Sequence, residues 1–243
     1  MRLLPDYNYR NISAITASSE NTLFPATNLK ELDPAVIWRA STFSSAVSIT
    51  IDLGSAQSIE KIWLNNANFK SCIIQANSSD SWSSPAVSKS VTLKADDVGI
   101  FKGFFDLSSS SYRYVRVLIP TQTLIKGSVP ELGNIIIGKD VDFSPITTWN
   151  PDVEYEFYTF ISDSGSYFKT PKTKPRHVFN VTMEHIEKSD LFSLPLNGWN
   201  TAIIFTDLND VADSYLVYPA TQRGVKVLSP VDSSIDFAFE ELV

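Results

Sequence analysis

Apolar and polar residues alternate with a period of two through much of the first 140 positions. In residues 48–53, Ile49, Ile51 and Leu53 alternate with Ser48, Thr50 and Asp52. Successive strand side chains point to opposite faces, so this pattern predicts a half-buried strand. A second strand follows, in which Ile59 leads into Ile62 and Leu64 while Lys61 and Trp63 face the other way. Gly54 ends the first strand and residues 55–58 form the connection. Such a pair cannot cover its own apolar face and requires a second sheet. Further strands are predicted at residues 70–76, 87–93, 99–107, 112–119 and 132–138, with a turn at 108–111. Seven or eight short strands without helical periodicity between them predict a β-sandwich or jelly roll. Before them, residues 11–39 read as irregular, because Pro25 and Pro34 prevent a long helix. Residues 26–32 have room for one helical turn, with Thr27 as its cap.

Residues 140–151 read as a junction, marked by two prolines and the capping-type Asn150. The domains expected are therefore 1–140, a β-sandwich, and 141–243, a smaller β-rich domain. In the second, residues 153–161 alternate as a strand, 162–173 form a polar hairpin tip, and 176–183 return. Residues 184–192 are the one stretch with a helical pattern, built on Ile186, Leu191 and Phe192. More strands are predicted at 201–205, 214–218, 224–228 and 234–241. The fold class expected is mainly β, with one short helix. No repeat relates the two halves.

The chain has 243 residues and a net charge of −7. That balance argues against a nucleic-acid groove, which needs clustered Lys and Arg, and against docking on an anionic membrane. No apolar run is long enough to span a bilayer, so no membrane insertion is expected. The single cysteine, Cys72, excludes an intrachain disulfide. The opening MRLLPDYNYRN lacks an apolar core segment, so no signal peptide is expected and synthesis is expected in the cytoplasm.

Catalytic signatures are missing from the sequence. There is no nucleophile elbow. The two histidines, His177 and His185, lack the spacing of a zinc site. Adjacent carboxylates such as Asp96 with Asp97, or Glu240 with Glu241, would face opposite sides of a strand. The chain is read as a non-enzyme with no cofactor. The best metal candidates are Asp207, Asn209 and Asp210, with Asp213 close by, since calcium takes hard oxygens from such loops. The EF-hand glycine and distal glutamate are missing there, and a solvated acidic loop is the alternative.

The order of residues in the first half resembles the discoidin-like (F5/8 type C) galactose-binding-like domain. The resemblance is carried by Trp38, then Asp52-Leu53-Gly54, the strand Ile59 to Leu64, Arg113-Tyr114-Val115-Arg116, and Glu131-Leu132-Gly133-Asn134-Ile135. The terminal disulfide common in that family is missing here. The resemblance implies a jelly roll with a sugar-binding site among its loops and room for a structural calcium ion. Sugars are held by aromatic faces and by amide and carboxylate hydrogen bonds, which selects Trp38, Arg39, Asn66, Asn68, Asp80 and Trp82, with Phe43 and Phe69 beside them. The resemblance also implies a packing role for Trp38 beneath the loops. For Trp82, ligand contact and packing both remain open.

The second half resembles a small β domain found beside such modules in tail proteins of long-tailed bacteriophages. Its landmarks are Trp149, the aromatic strand 155–160, the strand 176–183, the helical stretch, Gly198-Trp199 and the final strand ending Glu240-Glu241. This implies a virion structural protein of the tail tip. It would assemble with other tail proteins and with copies of itself as a ring homo-oligomer, and display its first domain to host-surface glycans. The hairpin aromatics Tyr155, Phe157, Tyr158, Phe160, Tyr167 and Phe168 are either interface anchors or the small domain's own core. Lys169, Lys172, Lys174 and Arg176 form a basic cluster that is either solvated or set against an acidic neighbour. The alternative function is a secreted carbohydrate-binding or adhesion module.

Overall fold

Two long strands, each bent midway, carry the first part of the chain. The computed structural model describes residues 2–5, 12–31, 33, 35–95, 99–138, 141–142, 146–154, 157–161, 167–171, 176–187, 203–206, 214–229 and 232–241. In chain order its strands are β1 (Arg2–Pro5), β2 (Ala14–Ala17), β3 (Trp38–Arg39), β4 (Val47–Ala67), β5 (Ser71–Asn77) and β6 (Val87–Thr92). There follow β7 (Lys94–Ala95), β8 (Phe101–Ile119), β9 (Glu131–Leu132), β10 (Asn134–Gly138) and β11 (Val141–Asp142). The remaining strands are β12 (Ile146–Glu154), β13 (Phe157–Ile161), β14 (Tyr167–Pro171), β15 (Arg176–Glu187), β16 (Ile203–Thr206), β17 (Ser214–Ser229) and β18 (Asp232–Glu241).

The fold is mainly β and divides into two compact units. One comprises Met1–Asp142 with Ile203–Tyr215, the other Phe143–Ala202 with Leu216–Val243. The stretch from Ile203 falls in the first unit because β16 pairs with β1, from Arg2↔Thr206 to Pro5↔Ile203.

In the first unit β4 and β8 run antiparallel from Val47↔Ile119 to Ala67↔Phe101. The first half of β4 also pairs with β2, and its second half with β10. The second half of β8 pairs with β5, which carries β6 on its other edge. The result is a nearly closed, jelly-roll-like sheet that shares two strands between its halves. Its interior is apolar: Ile49, Ile51, Ile62, Leu64, Ile74, Val115, Val117 and Ile135 are all buried. Burial of this kind is the main favourable contribution to folding, at ~25 cal/mol per Å² of apolar surface.

Three expectations for this unit are corrected. Residues 55–58 and 108–111 are not turns between separate strands. The two stretches lie opposite each other and pair, Gln57↔Tyr112, Ser58↔Ser111 and Ile59↔Ser110, so both strands run on through the bend. The register shift between Asp52 and Gln57 absorbs the extra residues, as bulges do. Secondly, Lys61 and Trp63 leave the Ile62 face as the pleat requires, yet both are buried. The Lys61 ammonium is paired with the Asp106 carboxylate, which compensates a cation that burial alone would disfavour. Thirdly, the single helical turn is a 3-10 turn at Ala26–Lys30 that follows Pro25, without Thr27 as its cap. Glu20 supplies the acceptor instead, its Oε2 taking the Ala26 N–H at 2.9 Å.

In the second unit β15 pairs with β12 and β18, and β18 pairs with β17, all antiparallel. β13 and β14 form a separate hairpin. Two expectations are corrected here. Residues 146–151 do not break the chain but belong to β12, which pairs with β15 through Pro151↔Phe179. The returning strand 176–183 therefore answers β12, while 157–161 turns back on β14. The predicted helix at 184–192 is strand over its first four residues, which finish β15 and pair Ile186↔Ser233 and Glu187↔Asp232. Residues 188–192 lie outside the described residues. Pairing along a neighbouring strand overrides the weak helical preference of Glu184–Glu187.

Candidate binding surface

Five chain segments are hydrogen-bonded side by side at one end of the first unit. The 21–24 turn bonds to β3: Asn21 N–H donates to the Arg39 carbonyl at 2.8 Å, and Arg39 N–H to that of Phe24 at 3.1 Å. β3 pairs with β9, Trp38↔Leu132 and Arg39↔Glu131. β9 reaches the end of β4 through Asn68 N–H to the Glu131 carbonyl at 3.3 Å, and Gly133 N–H to that of Asn65 at 3.1 Å. The loop before β9 joins through Ile125 N–H to the Asn68 carbonyl at 2.9 Å. These backbone hydrogen bonds join the segments into one ribbon.

Side chains lock this ribbon. Asn68 is buried, and its amide nitrogen donates to the carbonyls of Lys126 and Val129, both at 2.9 Å. Its Oδ1 accepts the Glu131 N–H at 2.9 Å. Arg39 Nε meets the Glu131 carboxylate at 2.7 Å, and its guanidinium lies 4.4 Å from the centre of the Phe24 ring. Asn66 adopts a φ of +55°, a conformation asparagine tolerates better than most residues. Gly133 packs beside it, where a Cβ would come within 2.8 Å of the Asn66 Cβ.

Away from this end, the Asp-Leu-Gly and Arg-Tyr-Val-Arg motifs meet. Arg113 holds Asp52 through two hydrogen bonds, and Gly54 N–H donates to Asp52 Oδ1 at 2.7 Å. The hydrogen bonds from Arg113 hold the Asp52 carboxyl below its ordinary range, against a smaller opposing effect of desolvation. The same bonds raise the Arg113 guanidinium.

The sequence-selected sugar candidates do not form one site. Trp38 is fully buried, with no acceptor for its indole N–H among the described residues. It belongs to the core, because the pairing of β3 with β9 turns the ring inward. Phe69 is also buried, and Phe43 is half-buried. The amide of Asn68 is fully engaged by backbone. Arg39 and Asn66 lie on the ribbon. Asp80 and Trp82 lie elsewhere, in the loop after β5, where the Trp82 indole donates to Asp80 Oδ1 at 2.7 Å. The Trp82 ring lies 4.5 Å from the Arg116 guanidinium. Arg116 in turn donates Nε to Gln75 Oε1 at 2.7 Å. Burial lowers its guanidinium, with Asp80 acting the other way. Trp82, half-buried, is thus in contact with Arg116 and Asp80.

The hairpin holds Phe157, Tyr158, Phe160, Tyr167 and Phe168 in register, with Phe160 opposite Phe168. Tyr155 lies outside the described residues, as do Asp207, Asn209, Asp210 and Asp213. Among the described residues no three His, Cys, Asp or Glu side chains come together as a metal cluster. Cys72 is buried, and desolvation pushes its thiol up to about 12, which makes it unreactive.

Two residues that sequence reasoning passed over stand out at the ribbon. Leu23 is 79% exposed and Ile125 is 42% exposed, and they are the exposed large hydrophobic residues among those described. An isolated leucine or isoleucine in a loop sequence reads as core, so no local signal marks them.

The sequence profile of the XRCC1 N terminal domain family matches residues 7–96. Among curated proteins none matches the chain. Several solved structures resemble about half of it. The lectin domain of Lectinolysin complexed with Lewis B antigen is 14% identical, with a TM-score of 0.44, covering 54% of this chain and 94% of that one. Chitosan-binding module 1 from the chitosanase/glucanase of Paenibacillus sp. IK-5 is 22% identical, with a TM-score of 0.42, covering 53% and 96%. The family 32 carbohydrate-binding module of C. perfringens NanJ in complex with galactose is 12% identical, with a TM-score of 0.44, covering 56% and 98%. The ligands named belong to those proteins.

Proposed function

We propose that this chain is a non-enzymatic recognition protein of a bacteriophage tail tip, in which the first unit presents its loop end outward and the second assembles the protein as a ring. The observation that carries the recognition role is the five-segment ribbon. It ties loops together through backbone hydrogen bonds, and its charged pair, Arg39 with Glu131, is matched internally. The tail assignment is supported by the resemblance of the second half, whose strands 146–154, 176–187 and 232–241 run antiparallel as β12, β15 and β18.

The test is immunolabelling of phage particles, together with the mass of the purified chain in solution. Labelling at one end of the tail and a ring-sized oligomer are expected. Label confined to a cell surface, with a monomer in solution, rejects the tail role. Together with glycan binding by the chain, that result would establish the second reading, a secreted carbohydrate-binding or adhesion module.

A further inference from the structure

We draw no further inference here: the strongest candidate, the side-chain cluster that Trp82 and Asp80 of the loop after β5 form with Gln75 of β5 and Arg116 of β8, carries nothing, because its polar and charged groups hold one another and nothing in the structure shows what covers it.

Discussion

Arg113 holds Asp52 in a parallel, two-pronged contact, Nε to Oδ1 at 2.8 Å and Nη2 to Oδ2 at 2.9 Å. The pair sits where β4 and β8 bend together, so it fixes the point at which both strands leave one half of the sheet for the other. Its pH dependence follows from the sign of the shift. The Asp52 carboxyl is depressed in the folded state, so its contribution is fully present above the ordinary carboxylate range of about 4. That contribution disappears as pH falls through the lower folded value. Asp52→Asn should therefore melt below the parent at pH 7, and the gap should close in acid. A gap that is constant from pH 7 to ~2 would exclude this origin. The side chain of Arg113 is 42% exposed, so the effect should be modest and should shrink in high salt.

Asn68→Ala should destabilise the first unit by about 2–4 kcal/mol, since it removes three hydrogen bonds and strands backbone groups in the interior. Urea unfolding measures this. Hydrogen exchange should report faster exchange at Glu131, whose N–H loses the Asn68 Oδ1 acceptor. Asn68→Asp should be worse, because a carboxylate would face the carbonyls of Lys126 and Val129.

Gly54 sits at a φ of +77°. Gly54→Ala should lose about 1–2 kcal/mol, and Gly54→Asn less, since asparagine visits that region more readily. An added Cβ meets Ser13 Cβ at 3.3 Å, so close packing adds to the strain. Thermal denaturation of the two variants side by side gives the ranking.

Trp38 combines full burial with an indole N–H that has no acceptor among the described residues. Trp38→Ala should lose about 3–5 kcal/mol. Trp38→Phe should lose only about 1 kcal/mol, because removing an unpaired donor offsets part of the cavity. Equal losses in the two variants would mean that the N–H has an acceptor after all.

Cys72 should resist Ellman's reagent at pH 8 in the folded protein and react once denaturant opens the core. Its thiol is buried and pushed up to about 12, leaving little thiolate to react. Reaction of the native protein at the denatured rate would show that β5 opens readily.

Much of the first unit was legible. The strands of the sandwich were placed by alternation, and the two motifs of the discoidin-like resemblance proved to be the two ends of the Asp52–Arg113 contact. The bends were not legible. Serine-rich stretches at 55–58 and 108–111 look like turns, and only their meeting across the sheet makes them strand. Glu184–Glu187 failed for the same reason: local preference is helical, and a partner strand decided otherwise. The site was read less well. Residue type put Asn68 among the binders, and in the structure its amide serves backbone, whereas the packing role expected of Trp38 is the one the structure shows.

By itself the sequence determined the class of fold and where most strands run, because period-two alternation is a property of neighbouring residues. It also determined that the two key motifs exist. Only the tertiary structure decided that Asp52 and Arg113 touch, and that Asn68 serves backbone and not a ligand. It alone left Leu23 and Ile125 outside the core. The reason is physical: hydrogen bonding and burial of a side chain depend on segments distant in the chain, and no local pattern records which of them will arrive.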